Sequence, residues 1–307
     1  MKLDLDSARI MPEATGAPGA ASYSYYPGCS LHSTGLEYNQ SVLAVFRHLG
    51  LNLVELDGWN CCGASSAHAL DQFLALALPA RNLALAQESD RDLAVPCAAC
   101  FNRMKSVQHH FKNDPECRDQ LLDAIGDHDP GAVSVRHILG ILYEDYGCER
   151  ISAQVRRPLT GLKVAAYYGC LLVRPPEVVQ FDDPDHPHVM PDLLKAAGAE
   201  VVEWSDSTEC CGGSLSLARS DIVYRLVGQL ASRAREAGAQ ALVTACPLCQ
   251  VNIEMRQQKT KKSGTPNLPV FYFTELLGLA FGLQETKKWW RMHLIDPRPL
   301  LDSLGLL

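Results

Sequence analysis

The sequence predicts an α/β protein of two tandem duplicated domains, each a small parallel sheet flanked by helices, with its cysteines at the strand carboxyl ends. Three observations predict it. Short β-branched or aromatic runs alternate with helical stretches, the pattern of parallel strands joined by crossover helices. One cysteine grammar occurs twice, as Cys29-x31-Cys61-Cys62-x34-Cys97-x2-Cys100 and as Cys170-x39-Cys210-Cys211-x34-Cys246-x2-Cys249. The similarity also runs past the cysteines, as an internal duplication requires. Tyr25-Tyr26-Pro27-Gly28-Cys29 matches Tyr167-Tyr168-Gly169-Cys170, LGLNLVELDGWNCCG matches AGAEVVEWSDSTECCG, and DLAVPCAACFNRM matches ALVTACPLCQVNI.

The elements follow in order. Residues 1–21, rich in Gly, Ala and Pro, read as a flexible lead-in. Asp4, Asp6 and the lack of an apolar core exclude a secretory signal there. The first domain is expected over 22–150. SYSYY is a strand ending near Cys29, and a helix runs from Leu36 to Leu49, stopped by Gly50. LNLVELD is a strand that feeds the Cys-Cys-Gly loop. A helix over 66–88, interrupted at Pro79, leads to the strand DLAVP and the pair Cys97 and Cys100. The polar stretch CERISAQVRRPLTG joins the halves. The second domain is expected over 151–282, with strands LKVAAYY, AEVVEW and ALVTA. Its helices are expected near Asp192–Ala197 and over 219–237, and Pro247 suits the first turn of a third. An insertion, RPPEVVQFDDPDHPHVMP, lengthens its first cysteine gap. The tail, 283–307, carries two adjacent tryptophans and reads as an interface or as packing on the chain's own core. Strand carboxyl ends converge on one crevice in open α/β sheets, so the cysteines can meet there.

Composition excludes several functions. The chain has 307 residues, a formal charge of −7 and a pI near 5.8, so no broad basic face for nucleic acid is indicated. No apolar run reaches the ~20 residues of a transmembrane segment. Twelve cysteines in a cytoplasmic setting, the one expected, point to metal or redox chemistry rather than disulfides.

Five thiols per group exceed the four ligands of a closed zinc site. Cubane clusters also take four, often from a compact C-x2-C-x2-C run that is absent here. Five thiolates, two of them adjacent, suit a larger or more open iron–sulfur assembly in which one thiolate bridges two irons. Gly63 and Gly212 let the backbone turn tightly and approach inorganic sulfide, and Gly28 and Gly169 have the same opportunity. Two alternatives stay open: buried thiols or structural zinc throughout, and zinc in one of the two sites with iron–sulfur in the other.

The motifs YYPGCSLH, DGWNCCGASSAH, PCAACFNR, YYGCLLVRPPEV and FDDPDHP carry a resemblance. From residue 22 to 282 the chain resembles the B subunit of heterodisulfide reductase, within the wider family of cysteine-rich CCG-domain proteins. The resemblance implies two noncubane 4Fe–4S clusters. Cys29, Cys61, Cys62, Cys97 and Cys100 would hold the first. Cys170, Cys210, Cys211, Cys246 and Cys249 would hold the second. It implies cleavage of a disulfide between the clusters, or in reverse the making of a disulfide or the handling of a persulfide, small or protein-bound. It also implies a C subunit with cubane clusters and a flavin-containing A subunit as partners. The absence of GxGxxG, a P-loop and a ferredoxin motif agrees with electrons arriving from elsewhere. Related proteins serve sulfur oxidation. CCG domains also occur in lactate- and glycolate-oxidising complexes, where a non-catalytic electron relay or scaffold is the alternative reading.

The remaining candidates have bland counterparts. Cys117 and Cys148 fall outside the grammar and read as inert thiols. His32 and His68 follow cysteines and can serve a cluster or substrate, or face solvent. Arg174 can hold an anionic substrate group or form a surface ion pair. His186 and His188 read as solvated loop residues, and Lys259, Lys261 and Lys262 as an exposed helix end.

Overall fold

The computed structural model describes residues 21–64, 67–260 and 267–307. Of the expectations above, the lead-in up to residue 20, Lys261, Lys262 and the side chains of His68 and Lys259 lie outside the described residues.

Eight strands form two all-parallel sheets. The first contains β1 (Ser22–Tyr25), β2 (Asn52–Glu55), β3 (Leu93–Val95) and β4 (Val135–His137), in the order β2-β1-β3-β4. The second contains β5 (Lys163–Tyr167), β6 (Glu200–Val201), β7 (Ala241–Thr244) and β8 (Val270–Tyr272), in the order β6-β5-β7-β8. The two orders are the same, with β1 and β5 each at the point where the chain reverses its direction of travel across the sheet. That is where doubly wound sheets open a crevice at their carboxyl ends. Leu93, Ala94 and Val95 are buried, as is every residue of β7 and β8, because helices cover both faces of a parallel sheet.

Six of the eight strands were expected. The two missed ones, β4 and β8, are three-residue edge strands, too short to show a period. The six-residue π-helical turn Ile141–Tyr146 after β4 also has no sequence signature. Two expectations are corrected. The helical stretch over 66–88 breaks at Asp71, not at Pro79. Asp71 caps the helix Gln72–Gln87, its carboxylate accepting from the Leu74 N–H at 2.7 Å, and Pro79 is carried inside that helix. The register of the repeat is also shifted by one residue. β1 meets β3 at Tyr25–Ala94, three residues before Cys97, and β5 meets β7 at Ala166–Val243, three before Cys246. Tyr26 therefore corresponds to Tyr167, and Pro27 to Tyr168.

The halves are packed into one core. Tyr38, on the helix Leu36–His48, stacks on Tyr272 with ring centroids 4.1 Å apart. Ser41 and Thr274 hydroxyls meet at 2.6 Å. Asn102 donates to the carbonyls of Leu171 and Arg174, at 3.0 and 2.9 Å. The tail packs on its own chain, which corrects its reading as an interface: Trp289 and Trp290 are buried. Among the described residues no helix is long and apolar enough to cross a membrane.

Candidate functional site

Each cysteine is delivered by a strand end. β1 runs into the short helix Gly28–Leu31, which carries Cys29. β2 leads to the loop with Cys61 and Cys62. Beyond β3, Cys97 caps the helix Ala98–Asn113, and Cys100 lies in its first turn. The second half repeats this: Cys170 follows β5, Cys210 and Cys211 lie in the loop after β6, and Cys246 and Cys249 flank the start of the helix Pro247–Thr260. Since all strands are parallel, these positions share one edge of each sheet.

The sulfurs converge in the same way in both halves. Cys62 Sγ lies 3.1 Å from Cys100 Sγ, and Cys29 Sγ 3.7 Å from Cys61 Sγ. In the second half Cys211 Sγ lies 3.6 Å from Cys249 Sγ, and Cys170 is hydrogen-bonded to Cys210. The two groups are neighbours: Cys97 and Cys246 face each other across the boundary between the halves, close enough for each to shift the other's protonation. Among the described residues no three Cys, His, Asp or Glu side chains stand at single-ion geometry. Burial is graded. Cys62, Cys97, Cys100, Cys211, Cys246 and Cys249 are buried, Cys170 is half-buried, and Cys29, Cys61 and Cys210 are exposed.

Hydrogen bonding between sulfurs sets their protonation. Cys62, in contact with Cys100 and Cys61, is held well below the ordinary thiol value, while both of those partners are pushed up. Cys210 accepts from Cys170 and is lowered to about 6. Cys211 is lowered by Cys249, and Cys246 by Cys249 and Cys97. These contacts favour the thiolate, the form that binds metal, at Cys62, Cys210, Cys211 and Cys246.

Backbone groups hold the loops in place. Gly63 N–H points at Cys61 Sγ (3.4 Å) and Gly212 N–H at Cys210 Sγ (3.2 Å). Both glycines have positive φ, +74° and +77°. The space beside the Gly63 Cα is filled by Ala67 and Leu78, and that beside Gly212 by Leu226 and Val223. A missing Cβ faces sulfur most closely at Gly28 and Gly169, where a methyl would lie 3.1 Å from Cys100 Sγ or Cys249 Sγ. At Gly213 one would lie 3.5 Å from Cys211 Sγ. Tyr26 Oη donates to the Asn60 carbonyl (2.8 Å) and Tyr167 Oη to the Glu209 carbonyl (2.7 Å), each pinning the residue before a Cys-Cys pair. These equivalent hydroxyls were not foreseen; the double tyrosine in each repeat was the available signal.

The secondary candidates fall on their bland side. His32 Nε2 lies 3.3 Å from Glu55, and its ring packs edge-on against Trp59. Arg174 is paired with Asp185 at 3.0 Å. His188 is exposed and paired with Asp182 at 3.0 Å, and His186 donates its backbone N–H to Asp183. Cys117 and Cys148 have carboxylates, Asp114 and Asp192, as their charged neighbours rather than thiols.

Comparison with known proteins gives these features a family. The CCG model, a cysteine-rich domain, matches residues 23–105 and 164–254. The chain is 32% identical over 271 residues to the B subunit of the ferredoxin/F(420)H(2)-dependent CoB-CoM heterodisulfide reductase of Methanosarcina acetivorans, covering 85% of this chain and 90% of that one. It is 29% identical over 283 residues to the 8-methylmenaquinol:fumarate reductase membrane anchor subunit of Wolinella succinogenes, covering 91% and 98%. It is 29% identical over 275 residues to an Archaeoglobus profundus protein described as like the B subunit of heterodisulfide reductase, covering 86% and 92%. A solved structure of a hypothetical protein from Helicobacter pylori has a TM-score of 0.68 at 12% identity. It covers 95% of this chain, which spans 56% of that one, and it shows the fold alone. The chain therefore belongs to the cysteine-rich CCG-domain family, with B subunits of heterodisulfide reductases as homologues at about 30% identity over most of its length.

Proposed function

We propose that this chain is the catalytic iron–sulfur subunit of a heterodisulfide reductase-like complex, making or breaking disulfide or persulfide bonds at two noncubane 4Fe–4S clusters. One observation carries the reading: two five-thiol groups face each other at a buried seam, Cys97 against Cys246, and each opens to solvent at its other side. The donor set fits such a group. It is all sulfur, its contacts favour the thiolate at several positions, it exceeds what one zinc ion takes, and Gly28 and Gly169 leave sulfur without an obstructing Cβ.

Cys29, Cys61, Cys62, Cys97 and Cys100 would hold one cluster, and Cys170, Cys210, Cys211, Cys246 and Cys249 the other. Bound there, the clusters would supply single electrons and Lewis-acid iron for a sulfur atom. The chain contributes position. The Cys-x2-Cys turns fix the inner sulfurs, Gly63 and Gly212 N–H groups stabilise charge on the outer ones, and Tyr26 and Tyr167 hold the loops. The buried inner half excludes water, and the exposed outer cysteines leave a route for a disulfide, thiol or persulfide.

Electrons would come from partners, an iron–sulfur C subunit with cubane clusters and a flavin-containing A subunit, in the cytoplasm. The heterodisulfide reductase homologues favour the reductive direction, and a sulfur-oxidising role fits the same site run in reverse. The fumarate reductase subunit at 29% identity favours a second reading, an electron relay or scaffold without sulfur chemistry. Zinc in one of the two sites, with iron–sulfur in the other, is the alternative cofactor content.

The readings separate in one experiment. The reduced, anaerobic protein is mixed with a heterodisulfide or with a persulfide, and its EPR spectrum is recorded. A new substrate-dependent signal is expected. Spectra that are the same with and without substrate would favour the relay.

A further inference from the structure

The two cysteine groups are alike in sulfur and unlike in charge. Matching the repeats on their cysteines pairs Asn60 with Glu209, each just before a Cys-Cys pair. It also pairs Arg103 with Asn252, each three residues beyond a Cys-x2-Cys turn. In the first half Asn60 is neutral, and its amide donates to the Cys61 and Leu78 carbonyls at 2.8 and 3.1 Å. Arg103 lies on the same helix face as Cys100, at i,i+3. It is half-buried, its Nε is shut off from solvent without an acceptor among the described residues, and its charge is felt at Cys62.

The second half inverts this. Asn252 is neutral, donating to the Cys211 carbonyl at 2.8 Å, while Glu209 sets a carboxylate beside Cys210 whose charge is felt there. Of the other cations nearby, Arg174 is paired with Asp185, Arg81 donates to the Gly58 carbonyl and to Asn60 Oδ1, and Arg256 donates to the Ser216 carbonyl and the Tyr224 hydroxyl. At these two equivalent positions the first group therefore has a cation, Arg103, and the second an anion, Glu209, each matched by a neutral side chain in the other half. A reduced cluster is one unit more negative than its oxidised form, so a cation raises its potential and an anion lowers it. Partial burial protects the effect of Arg103 from screening.

Building on the cluster reading above, we propose that Arg103 sets the first centre at the higher reduction potential and Glu209 sets the second at the lower, so that the first is reduced before the second. Each centre takes one electron from an external one-electron donor, an iron–sulfur partner in the complex or dithionite in the test, with no bond made or broken. Arg103 and Glu209 are positioning residues for charge and need not touch the substrate.

The test is an EPR-monitored redox titration of the full-length, anaerobically purified protein. Two midpoints are expected. Arg103→Met should lower only the higher, by roughly tenfold in the reduced-to-oxidised ratio at fixed potential, or about 59 mV for a one-electron couple. Arg103→Lys should keep it. Glu209→Gln, a change at an exposed side chain, should raise only the lower. Cluster signals that share one midpoint, or midpoints unmoved by either neutral variant, overturn the ordering alone. Iron-free protein overturns the cluster reading and the ordering with it.

Discussion

His137 stands where the two cysteine turns meet. Its Nε2 donates to the Pro96 carbonyl at 3.0 Å, and the Ala245 backbone also acts on the ring; these residues immediately precede Cys97 and Cys246. Its Nδ1 accepts the Leu139 N–H at 3.2 Å, which fixes the neutral ring. Burial pushes the imidazole down to about 4 from 6.5. The unfolded chain therefore gains a proton first as pH falls, and the stability that neutral His137 provides is full above 6.5 and lost down to about 4. From about pH 7.5 to about pH 5 that loss is about 2 kcal/mol. Glu37 works the other way. Burial raises it to about 7, so its contribution is lost as pH rises from 4.5 toward 7. Comparing urea unfolding of the native protein with His137→Gln isolates the histidine: the variant should lack about 2 kcal/mol of the acid-side slope. Equal slopes would show that His137 is not held neutral. His137 was not legible in the sequence, because it acts through contacts across the fold and belongs to no local motif, and Arg103, though inside PCAACFNR, carries no sign of its role there.

At the level of elements, legibility followed periodicity and repetition. The cysteine grammar fixed where loops must meet, and the strands that feed it were read from short apolar runs. What escaped was set by tertiary contact: the edge strands β4 and β8, the break at Asp71, and the repeat register around Tyr26 and Tyr167. The tail is the fullest example. Its tryptophans suggested a partner, yet His293 anchors it inward. His293 is buried with Nδ1 3.2 Å from Glu254 and Nε2 3.0 Å from Glu275. Burial alone would lower its pKa, but Glu275 and Glu254 outweigh burial and hold it well above the ordinary value. Glu254 also accepts from the backbone N–H of Leu294 and Ile295, at 2.8 and 3.2 Å. The pair of carboxylates thus closes the tail onto the helix Phe273–Ala280, which packs on the Leu36–His48 helix of the first half. His293→Ala leaves two buried carboxylates facing each other and should cost about 3–5 kcal/mol, read as a fall in the denaturation midpoint. A loss below about 1 kcal/mol would mean that the tail is held by the tryptophans alone.

Across the whole molecule, duplication explains the site. One parallel sheet places five cysteines along one edge, and a second copy placed against it doubles them. The contact between halves is a shared core, with Tyr38 on Tyr272 and Ser41 on Thr274, so the spacing of the two groups is fixed by packing. The facing of Cys97 and Cys246 is the consequence. A disulfide has two sulfurs, and a pair of facing sites matches that number. The charge of each site was then free to diverge, as Asn60 and Arg103 differ from Glu209 and Asn252. All of this depends on both thiol groups holding iron. Iron, acid-labile sulfide and zinc should be counted per chain on anaerobically purified protein. The expected result is about eight irons and about eight sulfides with no zinc. Protein without iron, or with zinc in place of half of it, would contradict a paired iron–sulfur site.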